Sequence, residues 1–100
     1  MIEGGKEMLK ILVVCGNGLG SSFLMEMNIK KVIKEIGAEV EVEHSDLTSA
    51  KGYHADIIVG TKDITSQLSG YAKELIELNN ILDLEDMREK VVKALEKFEN

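Results

Sequence analysis

Leu9-Lys10-Ile11-Leu12-Val13-Val14-Cys15-Gly16-Asn17-Gly18-Leu19-Gly20-Ser21-Ser22 decides the fold. Its first six residues are apolar except for Lys10, in a run too short and too β-branched for a helix. Such a continuous apolar run reads as a strand buried on both faces of a parallel sheet. The glycine-rich turn then leads straight into a helical pattern. From Ser22 to Ile36, Met25, Ile29, Val32, Ile33 and Ile36 recur at helical spacing, with Lys30, Lys31, Lys34 and Glu35 on the other side. Gly37 is placed to end that helix as a left-handed residue. A buried strand, a loop and a helix in that order open an α/β domain.

Further along the chain, Ile57-Ile58-Val59 has the same character as the first strand, entered from Asp56 and closed by Gly60. Glu39-Val40-Glu41-Val42-Glu43 alternates strictly, and Ala72–Leu78 is apolar but carries three charges. Charge of that density suits sheet edges, where it discourages pairing with other chains. Lys62–Ser69, followed by Gly70, reads as a short helix, and Ser45–Ala55 as a loop. A last helix runs from Leu84 to Phe98 on Leu84, Met87, Val91, Leu95 and Phe98, with Asp83 as its N-cap. Glu85 and Asp86 suit its positive first turn, and Lys93 and Lys97 its last. The expected fold is α/β: a four-stranded parallel sheet of order 2-1-3-4, with right-handed crossovers and helices on both faces. Ligands bind such sheets beyond the carboxyl ends of the strands, at the switch point. Here that point lies between strands one and three, where the first loop emerges.

Composition narrows the function. One hundred residues make one domain, with residues 1–8 expected to be a flexible N-terminal extension. Twelve Lys+Arg against eighteen Asp+Glu give a net charge of -6, which argues against nucleic acid and anionic membranes as partners. The longest apolar run, Ile11–Cys15, is far short of the ~20 residues of a membrane span. No signal-peptide core opens the sequence, so a cytoplasmic location is expected. A single cysteine excludes internal disulfides and cysteine-rich zinc sites.

Cys15-Gly16-Asn17-Gly18-Leu19-Gly20-Ser21-Ser22 carries the chemistry. Its alternate glycines let the backbone approach a ligand closely. Successive N–H groups curled in this way form an anion-binding nest, and the helix N-terminus adds about half a positive charge. Ser21 and Ser22 add hydroxyl donors at the same place. A thiol at the mouth of a phosphate cradle is favoured as its anion and is a natural nucleophile for a phosphocysteine intermediate. A lone cysteine after an apolar strand is ordinarily a buried small hydrophobe. Three glycines followed by two serines reverse that expectation.

Other phosphate loops fit less well. Gly16-x-Gly18-x-x-Ser21 lacks the third glycine of a dinucleotide fingerprint, and no Gly-Lys-Ser/Thr forms a Walker A loop. Small cysteine phosphatases share the sheet order and the strand–Cys-loop–helix site, but use Cys-x5-Arg. The sixth residue after Cys15 is Ser21, and the only arginine, Arg88, lies in the last helix. The Asp-Pro general-acid loop of those enzymes is absent, because the chain has no proline. A phosphocysteine formed here lacks the groups that hurry its hydrolysis, which suits a carrier better than a phosphatase. The remaining alternative is a non-enzymatic anion-binding or regulatory module.

The loop, followed by Met25-Glu26-Met27, then Ala55-Asp56-Ile57-Ile58-Val59, then Asn79-Asn80-Ile81-Leu82 before a final helix, resembles the enzyme IIB component of the bacterial sugar phosphotransferase system (PTS). The resemblance is to the ascorbate-type branch of the lactose/galactitol-like IIB superfamily and covers roughly Leu9 to Lys97. It implies a phosphotransferase component that accepts a phosphoryl group on Cys15 from a phosphohistidine of IIA. Phosphocysteine would then pass the group to a sugar, ascorbate by resemblance, bound to the membrane permease IIC. No cofactor or metal is required.

Around the nucleophile, the backbone of Gly16, Asn17, Gly18, Leu19, Gly20, Ser21 and Ser22, with the two serine hydroxyls, is expected to hold the phosphate oxygens. His44, at the carboxyl end of strand two, and Thr61 and Lys62, after strand three, are candidate accessory residues, each with a solvated loop position as the plainer reading. His54 is expected at the opposite edge, and Asp46 and Asp63 as turn or cap residues. Leu19, Phe23 and Met27 fit the core stripe poorly and are candidates for partner docking.

Overall fold

The computed structural model describes residues 9–14, 19–79 and 83–98; of residues 19–22 it describes the backbone. Its elements are β1 (Leu9–Val14), α1 (Leu19–Ile36), β2 (Val40–Ser45), α2 (Leu47–Ala50), β3 (Ile57–Gly60), α3 (Lys62–Thr65), β4 (Glu74–Glu77) and α4 (Leu84–Glu96). The four strands form one parallel sheet, order β2-β1-β3-β4. The expected 2-1-3-4 sheet is therefore the observed one, with the charged strands at its edges.

Burial follows strand alternation. In β1, Ile11 and Val13 join a core layer with Met25, Ile29 and Val32 of α1 and Met87 and Val91 of α4. Leu12 and Val14 face the other way, onto Ala50 of α2, Ile64 of α3 and Leu68. Ile57 and Val59 of β3 point to the first layer and Ile58 to the second. Two-sided burial is why these strands read as unbroken apolar runs. Asp56 anchors the amino edge: its carboxylate accepts from the Lys10 N–H at 2.9 Å, and its carbonyl from Lys73 and Glu74.

Element ends move from their expected places. α1 begins at Leu19 rather than Ser22, so the glycine–serine segment already forms its first turn. β2 runs to Ser45, carrying His44 into the sheet, and β4 is confined to Glu74–Glu77. The short helix over Lys62–Ser69 stops at Thr65. The loop after β2 contains a one-turn helix, capped by Asp46 accepting from the Ser49 N–H at 2.7 Å. Gly37 and Gly70 adopt positive φ, 73° and 90°. Asp83 caps α4 by accepting from the Asp86 N–H.

Candidate active site at the carboxyl edge

The carboxyl edge gathers the end of β1, the start of α1, His44 and Ser45 of β2, Gly60 to Asp63 after β3, and Leu78 and Asn79 after β4. Cys15, Gly16, Asn17 and Gly18 join Val14 to Leu19 in the chain; these four, with Asn80, Ile81 and Leu82, lie outside the described residues. On either side of them the geometry is definite. β1 is a central strand whose last residue, Val14, is fully buried. α1 is 18 residues long, with no acidic side chain in its first turn. Its first four backbone N–H groups have no intrahelical acceptor and carry the positive end of the dipole. Those donors include the N–H groups of Leu19, Gly20 and Ser21, three of the residues expected to hold phosphate.

The accessory candidates divide. His44 is neither a loop residue nor simply solvated. It pairs with Val13 across β1, and its Nδ1 lies 2.7 Å from Oε1 of Glu26 on α1. Oε2 of Glu26 meets Nζ of Lys30 at 3.3 Å. Thr61 spends its hydroxyl on Asp63, at 2.6 Å, and so turns inward on its own loop. Lys62 is exposed at the start of α3 and makes no ion pair among the described residues. His54 sits at the amino edge as expected, with a φ of 64°, lining an open depression of about 330 Å³ with Asp56 and Tyr71.

Among the docking candidates, Phe23 and Met27 stand 61% and 51% exposed on the outer face of α1. The side chain of Leu19 lies outside what is described. Arg88 is far from this edge. It binds Glu35, next to the last residue of α1 and about 24 Å along that helix from Leu19. The hydrogen bond to Glu35 holds its guanidinium proton more firmly than usual. An arginine engaged there is not a clamp for a phosphate at the β1–α1 loop.

Glu26 is the residue that sequence reasoning passed over. It is 9% exposed, a carboxylate buried between helix and sheet. The signal was its spacing: Glu26, Ile29 and Ile33 fall three and seven apart, on the core side of the helix.

Residues 10–93 match the family of lactose/cellobiose-specific IIB subunits of the PTS. The chain belongs to the PTS IIB family. An ascorbate-specific EIIB component of Mycoplasma pneumoniae is 32% identical over 90 residues, covering 87% of this IIB chain and 95% of that protein. The ascorbate-specific EIIB component of Salmonella typhimurium is 28% identical over 94 residues, 87% of this chain and 89% of that one. A mannitol-specific EIICBA component of Vibrio cholerae is 35% identical over 75 residues, 73% of this chain but only 11% of that protein. In fold, the IIB chain is similar to the lactose-specific IIB component domain of Streptococcus pneumoniae, with a TM-score of 0.58 and 15% identity over 92% and 95% of the two chains. Among the described residues, no helix of this IIB chain is long and apolar enough to cross a membrane.

Proposed function

We propose that this IIB chain is a cytoplasmic phosphoryl carrier, with Cys15 as the residue that holds the group. The Sγ thiolate attacks the phosphorus of a phosphohistidine on IIA. An S–P bond forms, the P–N bond breaks, and its electron pair returns to the donor imidazole. The phosphocysteine then yields its phosphoryl group to a sugar hydroxyl presented by the IIC permease. Positioning and charge stabilisation do most of the work in such transfers. The backbone N–H groups from Gly16 to Ser22, with the hydroxyls of Ser21 and Ser22, hold the phosphate oxygens.

One observation carries this reading: the chain's only cysteine lies between the last residue of a central buried strand and the N-terminus of an 18-residue helix. The ascorbate-specific relatives support L-ascorbate as the sugar. The fused EIICBA relative supports IIA and IIC as partners, since its name joins those components with a B unit in one chain. The missing loop arginine weighs against a phosphatase.

Intact-mass spectrometry after incubation with the general PTS proteins, phosphoenolpyruvate and a cognate IIA tests the assignment. One added phosphoryl group of about 80 Da, mapping to Cys15 and absent in folded Cys15→Ser, is expected. An unmodified chain beside charged IIA would point instead to an anion-binding module.

A further inference from the structure

The outward face of α1 combines two kinds of side chain in one stripe. At about 100° per residue, Phe23, Met27, Lys30, Lys31 and Lys34 fall within about 100° of arc. Met25, Ile29, Val32 and Ile33 occupy the opposite side and pack on the sheet. All five outward residues are exposed, Phe23 and Met27 by more than half. The stripe is apolar towards the amino end of the helix and cationic beyond it, over about 16 Å from Phe23 to Lys34. Both acids of α1 are engaged elsewhere: Glu26 is buried against β2, and Glu35 binds Arg88. Lys30 reaches back to Glu26, while Lys31 and Lys34 make no ion pair among the described residues.

Lysines gathered on one helix face give a chain of net charge -6 a local attraction for acidic surfaces. We propose that this stripe docks the phosphoryl donor IIA at an apolar pocket rimmed by carboxylates. Phe23 and Met27 enter the pocket, and Lys31 and Lys34 face the acids. The identity of the partner rests on the carrier reading; the surface rests on α1 alone. Charge separates this partner from the others that a IIB chain meets. Cytoplasmic loops of a membrane permease carry an excess of Lys and Arg, which Lys31 and Lys34 repel. An anionic bilayer attracts the lysines but repels the rest of an acidic chain, and two apolar side chains bury too little surface to hold it there. The acidic rim also stands clear of the anionic group being transferred. Lys34 lies about 22 Å along α1 from Leu19, roughly two Debye lengths from the end of the helix that faces the phosphate.

Titrating unphosphorylated cognate IIA into the full chain, followed by backbone amide NMR, reads docking without transfer. The amides from Phe23 to Lys34 should respond and those of α4 should not; a response confined to other elements, or none, overturns the proposal. Lys31→Gln/Lys34→Gln is expected to raise Kd about tenfold at about 0.1 M salt. Lys93→Gln, at an exposed lysine of α4, should leave Kd unchanged. The parent gives a measurement that needs no variant. Its Kd should rise as salt approaches about 1 M, where the Debye length falls to ~3 Å. Equal Kd values for the parent and the folded double variant, or a parent Kd indifferent to salt, overturn the docking surface. Binding of the parent to phosphatidylserine vesicles that the double variant loses overturns it too, because the stripe then belongs to a membrane. A chain that binds IIA through these lysines but never takes a phosphoryl group upholds the surface and removes only the carrier reading.

Discussion

Gly60 closes β3 directly against the carbonyl of Val14: a Cβ at Gly60 would lie 3.0 Å from that oxygen and 3.1 Å from Cγ2 of Ile64. Glycine is required here for close approach, not for an unusual φ. Val14 is the last residue before the cysteine loop, so pressure at Gly60 is pressure on the loop's anchor. Gly60→Ala is expected to cost about 1–3 kcal/mol, as overpacking does. The melting temperature should fall by roughly 5 °C or more. Phosphoryl acceptance should fall in the molecules that remain folded. An alanine variant as stable as the parent would show that α3 and β1 separate freely at this point.

Gly37 makes the opposite case. Its φ is 73°, and nothing lies within 4 Å of where a Cβ would stand. The residue is needed for conformation alone. Gly37→Ala should therefore lose about 1–2 kcal/mol, the cost of a left-handed L-residue. Gly37→Asn, which tolerates that region, should lose less. Urea unfolding would show lower midpoints at an unchanged slope. Phosphoryl transfer should be unaffected, because Gly37 ends α1 at the edge remote from Cys15.

How much of this was legible beforehand depends on the kind of constraint. β1 and β3 declared themselves because two-sided burial leaves an unbroken apolar run, and the edge strands because charge marks an edge. α1 and α4 showed their stripes and caps. The helix over Leu47–Ala50 did not, since four residues are too few for a periodicity. The start of α1 at Leu19 was hidden by glycines and serines, which read as loop. Glu26 and His44 are 18 residues apart, and only the Val13–His44 register brings them together. Sequence placed His44 at the right edge, but no spacing rule could give it a carboxylate partner.

Asp46 carries a pH signature. Chiefly through the hydrogen bond from the Ser49 N–H, its carboxyl is held below the ordinary carboxylate value. A depressed folded-state pKa means that the stabilisation is present above the unfolded value and is lost as pH falls through the folded one. The cap on α2 should therefore persist through mild acid and fail only below the usual aspartate range. The amide proton shift of Ser49, followed by NMR, should report a midpoint lower than that of a free aspartate. Asp46→Asn should abolish this titration while keeping the helix, because asparagine also caps. A Ser49 midpoint at or above the free-aspartate value would contradict the assignment.

Phe23 and Met27 lie four residues apart on one exposed face of α1, in the turns that follow its N-terminus. Two large apolar side chains more than half exposed contribute little to the core, so their removal should leave stability within about 0.5 kcal/mol. If they receive the protein donor, their loss should appear in recognition. The double variant Phe23→Ser/Met27→Ser is expected to raise the KM for phosphorylated IIA about tenfold, equivalent to ~1.4 kcal/mol of binding. The limiting transfer rate should change little, because neither side chain is assigned to the reacting atoms. A fall in that rate at unchanged KM would place these residues in the transfer step, and no change in either would leave them as ordinary surface. Stopped-flow transfer at varied donor concentration separates the three outcomes.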